Sequence, residues 1–84
     1  MIAIRLLGGA KKAVGRSLVE LDRDAATVFE ILKFLQGISS EPSLLQPGNL
    51  IVAVNGVDSA AVAGADTITK SGDEVTVVTV VHGG

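Results

Sequence analysis

The residues of this chain that could carry out chemistry lie at its C-terminal end. The 84-residue sequence has no cysteine and one histidine, His82, which is followed by Gly83 and Gly84. The lack of cysteine rules out thiolate nucleophiles, zinc knuckles and iron–sulfur clusters, and a single histidine rules out a multi-histidine metal site. His82 can titrate near neutral pH, but no nucleophile or second carboxylate lies beside it in the sequence. We therefore expect no catalytic residue and no metal site in the chain itself.

The two terminal glycines give the chain an end that bears no side chains. Glycine has no Cβ, and it reaches backbone conformations that are closed to other residues. A random Gly-Gly end occurs in roughly one chain in 200 at an average glycine usage of about 7%, and chain ends are often loosely ordered. The dipeptide alone is therefore weak evidence, and its meaning depends on the elements that precede it.

Apolar spacing predicts the elements that position this end. Thr27 followed by Glu30 has the spacing of a capping box, and Gly37 is a plausible helix stop. The residues between them that recur at helical spacing are Val28, Ile31, Leu32 and Leu35. The predicted strands are residues 2–7, 16–21, 50–54 and 74–81, with one more short strand within residues 57–68. This order predicts an α+β fold, with a mixed sheet of four to five strands packed on one helix.

A glycine-rich segment, residues 8–15, separates the first two predicted strands. Its start, Gly8-Gly9-Ala10-Lys11-Lys12, superficially resembles a phosphate-binding loop. It lacks the glycine and lysine spacing of such loops, and no helix signal follows it directly. We therefore expect the turn of an antiparallel hairpin here.

Charge and hydropathy exclude two classes of partner. The formal net charge is −2, and no basic run is longer than Lys11-Lys12, whereas nucleic-acid binders need a positive stripe. The first residues lack the features of a signal peptide. The longest apolar runs are far shorter than the ~20 residues of a membrane span. We expect a monomer in the cytoplasm that contacts neither nucleic acid nor membrane directly.

Three segments carry further motifs. They are Leu7-Gly8-Gly9-Ala10, residues 46–58 with Pro47-Gly48 and Asn55-Gly56, and residues 71–84 with Gly72-Asp73 and His82-Gly83-Gly84. These motifs and the order of elements resemble those of ubiquitin-like β-grasp proteins along the whole chain, above all the ubiquitin-related modifier family and the archaeal ubiquitin-like small modifiers. The tail region is also similar to that of the thiazole-synthesis sulfur carriers and, less closely, of the molybdopterin synthase small subunits.

This resemblance implies a β-grasp domain of residues 1–81 and a flexible tail of residues 82–84. It implies that an E1-like enzyme uses ATP to adenylate the Gly84 carboxylate, and that the chain itself is a co-substrate that binds no cofactor. The product would be a thiocarboxylate, for tRNA thiolation or cofactor synthesis, or an isopeptide bond to a target lysine. Further implied partners are a sulfur-transfer or thiolation enzyme and a deconjugating metalloprotease. The lysines that could accept an isopeptide bond in this chain are Lys11, Lys12, Lys33 and Lys70.

The last strand predicts a partner surface on the sheet. If Val75 and Val77 enter the core, Val78 and Val80 point outward by alternation. With the outward residues of the first strand (Ala3, Arg5 and Leu7), they would form an exposed apolar patch, which often marks a partner site. Two alternatives stay open: these side chains only cover the sheet, or the register slips by one residue and reverses the faces. The predicted partner-binding residues are Arg5, Val78, Val80 and His82. The alternative function is a non-covalent β-grasp interaction module that acts through this sheet surface.

Overall fold

The computed structural model describes residues 1–80 of the chain. Its two α-helices are α1 (Gly9–Val14) and α2 (Val28–Ile38). Its strands are β1 (Ile2–Leu7), β2 (Leu18–Leu21), β3 (Ala25–Thr27), β4 (Leu50–Val54), β5 (Val57–Asp58), β6 (Ile68–Lys70) and β7 (Glu74–Thr79).

Five of the strands form one mixed sheet in the order β2-β1-β7-β4-β5, and β3 pairs with β6 in a separate ladder. β1 and β7 lie side by side and parallel, while the other pairs in the sheet are antiparallel. α2 covers one face of this sheet. The predicted α+β architecture, a mixed sheet packed on one main helix, is confirmed.

The core lies between α2 and the inner face of the central strands. Ile2, Ile4 and Leu6 alternate with exposed residues along β1, and Val75 and Val77 are fully buried in β7. From the helix, the four residues predicted from their spacing are all buried: Val28, Ile31, Leu32 and Leu35. Burial of a side chain of this size contributes roughly 1.5–3 kcal/mol, so these strands and this helix fix each other.

The prediction of a simple hairpin turn between the first two strands is wrong. β1 and β2 do pair antiparallel, but α1 lies between them. Its buried residues, Ala10 and Ala13, stand three apart on one face of the helix, and Gly15 ends it in the left-handed conformation with φ 82°. The small apolar residues therefore supply a core-facing helical stripe, which the two lysines between them obscure in the sequence.

Other boundaries differ by a few residues. α2 continues through Gly37 to Ile38, β2 begins at Leu18, and β7 ends at Thr79. The predicted loop of residues 38–49 contains short 3-10 helices at Pro42–Leu45 and Pro47–Asn49. The ladder of β3 and β6 was not predicted, because strands of three residues are too short to show a period.

The start of α2 is the predicted capping box. The backbone N–H of Glu30 donates to the Thr27 hydroxyl at 3.1 Å, and the backbone N–H of Thr27 donates to the Glu30 carboxylate at 3.0 Å. The hydrogen bond from the Thr27 backbone N–H, together with one from the Arg23 side chain, holds the pKa of the Glu30 carboxyl below its usual range. Two donors that the helix leaves free are thus satisfied by side chains.

We expect Thr27→Ala to lower the free energy of unfolding by about 1 kcal/mol, because it removes the cap. Urea denaturation at neutral pH measures this change. Thr27→Ser keeps the hydroxyl and should stay within about 0.5 kcal/mol of the parent. Equal losses for the two variants would show that the hydroxyl does not contribute.

The Asn55-Gly56 and Gly72-Asp73 motifs meet in one hydrogen-bond network. The Asn55 amide donates to Asp73 at 3.1 Å and accepts from the backbone N–H of Glu74 at 2.9 Å. Asp73 also accepts from the backbone N–H of Lys70 at 2.7 Å. Asn55 itself has a positive φ of 51°, which asparagine tolerates better than most residues. The two turns at this end of β4 and β7 therefore fix each other.

The hydrogen bonds from Lys70 and Asn55 hold the pKa of Asp73 below its usual value of 3.8. A carboxyl group whose pKa is lowered by folding stabilises the fold above its unfolded pKa, and this contribution is lost as the pH falls through the folded pKa. We expect Asp73→Asn to lower stability at neutral pH and to flatten the decline in stability below pH ~4. Denaturation across this pH range measures both effects. Asp66→Asn makes the same exchange at an exposed position and should stay within about 0.5 kcal/mol of the parent at neutral pH. An acid decline in Asp73→Asn as steep as in the parent would contradict the assignment.

Candidate functional site

The end of β7 is where the chain turns toward its C-terminus. β7 is the middle strand of the sheet, flanked by β1 and β4. Beyond its last residue, the backbone N–H of Val80 donates to the Asn49 carbonyl at 2.8 Å. The predicted site residues His82, Gly83 and Gly84 lie outside the described residues, so their role stays a prediction. The described structure therefore defines the point from which these residues start.

An apolar row crosses the outer face of the sheet close to this point. The strand register places Leu7, Val78 and Ile51 side by side on β1, β7 and β4. Leu7 is 43% exposed and Ile51 41% exposed, and Val78 between them is half-buried. We call these three residues the apolar row. Neighbouring aliphatic side chains that stay partly exposed on a sheet face are typical of a surface that contacts a partner.

The structure places the predicted surface residues around this row. Arg5 lies two residues before Leu7 on the same face of β1, where it pairs with Leu18 of β2 and Thr76 of β7. Its Nε is 3.8 Å from the Glu74 carboxylate, with both side chains mostly exposed, so this ion pair stabilises the fold little. Val80 is half-buried just beyond β7. Of the two possible registers, the structure has the one in which Val75 and Val77 enter the core and Val78 lies on the outer face. Partner binding by Arg5, Val78 and Val80 stays a prediction.

Sequence reasoning missed two exposed members of this face, Ile51 and Leu18. Leu18 is 51% exposed and pairs with Arg5. β4 is apolar at every position, so its sequence does not tell which residues face outward. The alternation in β2, where Val19 is buried and Leu18 is not, was available as a signal for Leu18.

A second surface feature is a groove of about 440 Å³ on the helix side of the sheet. Leu32 of α2 and Val52 of β4 line it, together with Phe29. The Phe29 ring is exposed and carries the Lys33 ammonium 5.4 Å from its centroid. Because the groove opens on the helix side, it is separate from the apolar row on the outer face.

Within residues 1–80, no group of three or more histidine, cysteine or acidic side chains could hold a metal ion. None of the helices in this part of the chain is both long and apolar enough to cross a membrane.

Comparison with known proteins identifies a family. The family model described as "ThiS family" matches residues 4–84. A search of curated protein sequences finds no significant match. Several solved structures share the fold. The small archaeal modifier protein 1 of Methanosarcina acetivorans has a TM-score of 0.81 at 19% identity, over 99% of this chain and 95% of its own.

Two further structures cover nearly the whole chain. Urm1 of Trypanosoma brucei has a TM-score of 0.72 at 21% identity, over 99% of this chain and 94% of its own. A chain of the BexX/CysO complex of Amycolatopsis orientalis has a TM-score of 0.75 at 22% identity, over 100% of both chains. At such identities these structures establish the ubiquitin-like β-grasp fold. The family model, which covers all but the first three residues, establishes that the chain belongs to the ThiS family.

Proposed function

We propose that this chain is a ubiquitin-like sulfur carrier and protein modifier, whose Gly84 carboxylate is adenylated by an E1-like enzyme. One observation carries the proposal: the match to the family model includes Gly84. The apolar row supports it, because the row lies on the sheet close to the end of β7. The relatives of similar fold include an archaeal modifier and a chain that forms a complex with a second protein. The chain acts as a co-substrate, and the catalytic groups belong to its partners.

The chemistry needs activation because a carboxylate is a poor acyl donor. One carboxylate oxygen of Gly84 attacks the α-phosphorus of ATP, and pyrophosphate leaves. A sulfide equivalent or a lysine amine then attacks the acyl carbon, and AMP leaves with the bonding electron pair. The product is a thiocarboxylate in the first case and an isopeptide in the second. ATP is thus bound by the activating enzyme, and this chain supplies only the acyl group.

The length of the tail limits where the enzyme can dock. Residues 81–84 follow Val80, and four residues span at most about 14 Å when fully extended. When the chain is bound to the enzyme, Val80 must therefore lie within about this distance of the ATP site. Val78, in the apolar row, is two residues from Val80. The row, with Arg5 at its border, is the surface best placed to contact the enzyme.

Further partners follow from the two products. A thiocarboxylate needs a sulfur-transfer or thiolation enzyme, for tRNA or a cofactor, and an isopeptide needs target lysines and a deconjugating metalloprotease. All of these act on the same Gly84 carbonyl. A cytoplasmic location is part of the proposal, because ATP and the activating enzyme must be present together.

Intact mass spectrometry tests the proposal. The full chain is incubated with an E1-like enzyme from the same genome, ATP and a sulfide source. We expect a mass gain equal to the exchange of one oxygen for one sulfur, located at Gly84 and absent from a variant that lacks Gly84. No gain with active enzyme would contradict sulfur transfer. Target lysines in cell extract that carry the C-terminal peptide of this chain, residues 71–84 after tryptic digestion, would then support modification alone.

The exposed apolar row also suits the alternative function, a non-covalent interaction module that acts through its sheet. This function predicts that deletion of Gly83 and Gly84 leaves activity in the cell unchanged. The carrier function predicts a complete loss. Complementation of a deletion strain with the truncated chain separates the two.

A further inference from the structure

The glycine pair after β1 makes a specific contact with the last residue of β7. The backbone N–H of Gly9 donates a hydrogen bond of 2.7 Å to the Thr79 hydroxyl, across 70 residues of sequence. A Cβ atom on Gly9 would lie 2.6 Å from that hydroxyl oxygen, so any other residue here would displace the Thr79 side chain. Gly8 has φ 59°, a conformation that favours glycine. The Gly8-Gly9 pair is therefore shaped to receive the Thr79 side chain.

This contact lies where the pairing between β1 and β7 ends. The register of the two strands stops at Leu7 and Val78, so beyond it Thr79 is held on the β1 side by its hydroxyl. On the β4 side, Thr79 pairs with Leu50, and Val80 donates to the Asn49 carbonyl at 2.8 Å. Thr79 is thus held from both flanking segments and Val80 from the β4 side, immediately before residue 81.

We propose that the hydrogen bond between Gly9 and Thr79 sets the direction in which residues 81–84 leave the sheet. Gly9 and Thr79 are then positioning residues for the activation of Gly84, an inference that rests on the proposed function. Val80 is the last described residue, so a displacement of Thr79 and Val80 shifts the point from which residues 81–84 must reach the ATP site of the enzyme. Misplacement of a reacting group by even about 1 Å can slow an enzymatic step by up to ~100-fold. The hydrogen bond between Gly9 and Thr79, which we call the Thr79 anchor, therefore affects the rate of adenylation more than the binding of residues 1–80 to the enzyme.

The test uses three threonine variants of the full chain. Thr79→Val removes the acceptor with little change in volume, and Thr79→Ser keeps it. Thr69→Val is the matched control, because the buried Thr69 hydroxyl donates to the Ala26 carbonyl at 2.9 Å in the ladder of β3 and β6. It removes one hydroxyl hydrogen bond at a distance from the tail. ATP–pyrophosphate exchange by the activating enzyme gives kcat and KM for each variant.

We expect Thr79→Val to lower kcat about five- to tenfold, which corresponds to the contribution of one hydrogen bond. The KM should stay within about twofold of the parent. Thr79→Ser should restore kcat, and Thr69→Val should leave kcat unchanged although it unfolds at a lower temperature. A parental kcat in Thr79→Val would overturn the inference, as would an equal fall in Thr69→Val.

A second measurement does not depend on the activating enzyme. Relaxation of ¹⁵N reports the order parameter of the Val80 amide, which we expect to fall in Thr79→Val and to stay at the parental value in Thr79→Ser and Thr69→Val. An unchanged Val80 order parameter in Thr79→Val would overturn the inference even without an enzyme assay. If the parent chain is not adenylated at all, the proposed function fails, and the relaxation data alone decide whether Thr79 orders the exit of the tail.

Discussion

Replacement of Ile51 by aspartate is expected to raise the KM for the activating enzyme by at least roughly 30-fold, because burial of an unpaired charge at a protein interface costs about 2 kcal/mol or more. Ile51 belongs to the apolar row and is already 41% exposed in the free chain. The aspartate can therefore stay hydrated in the free protein, and its cost appears only when a partner covers it. Steady-state ATP–pyrophosphate exchange and thermal unfolding together measure the two effects.

Val62→Asp is the matched control for this experiment. Val62 is 63% exposed and follows the 3-10 helix at Ser59–Ala61, outside the sheet. It changes the same kind of side chain and the same net charge as Ile51→Asp, and it should leave KM within about twofold of the parent. An equal KM for the two variants would contradict docking through the apolar row and would favour the groove beside Phe29 as the docking surface.

The sheet and main helix were predictable because one face of each is buried and the other is not. β1 alternates strictly between buried and exposed residues, and the four apolar residues of α2 repeat at helical spacing. The capping box at Thr27 and Glu30 adds a local signal whose geometry is independent of tertiary contacts. Where a period and a cap agree in this way, the sequence determines both the element and its orientation.

The outer face of β4 and the role of the glycine pair were not predictable in the same way. β4 is apolar on both sides, so only its pairing with β7 reveals that Ile51 joins Val78 and Leu7. The contact of Gly9 with Thr79 spans 70 residues, and no local pattern predicts a contact at that separation. The hypothesis of a hairpin turn gave Gly9 no distant contact, whereas a Cβ atom at this position would lie 2.6 Å from the Thr79 hydroxyl oxygen and would displace that side chain.

The positions of these features connect the fold to the proposed chemistry. A mixed sheet that places its last strand between two others supports β7 on both sides up to Thr79. In the proposed function, the apolar row docks on the enzyme two residues before Val80, and the hydrogen bond between Gly9 and Thr79 positions the start of the tail. Because the proposed function assigns the chemistry to the tail, we expect substitutions at Gly83 and Gly84 to have the largest effect on activity.

Replacement of Gly83 by alanine is expected to lower kcat for adenylation by roughly 10- to 100-fold. An added methyl group in a closely packed site costs about 1–3 kcal/mol, and each 1.36 kcal/mol corresponds to about tenfold in rate. The apolar row and the Thr79 anchor are unchanged in this variant, so KM should stay within about twofold of the parent. The same exchange assay measures both constants.

Gly37→Ala is the control for Gly83→Ala, since it adds the same methyl group where a Cβ meets no neighbour within 4 Å. Gly37 lies inside α2, where alanine is the better helix former, so this variant should be as active as the parent and more stable by about 0.5–1 kcal/mol. A Gly83→Ala variant that keeps the parental kcat would mean that the tail does not enter a narrow site. If that variant also complements a deletion strain fully, the carrier function loses its support and the sheet-binding module becomes the better account, because only that function is indifferent to the chemistry of the last two residues.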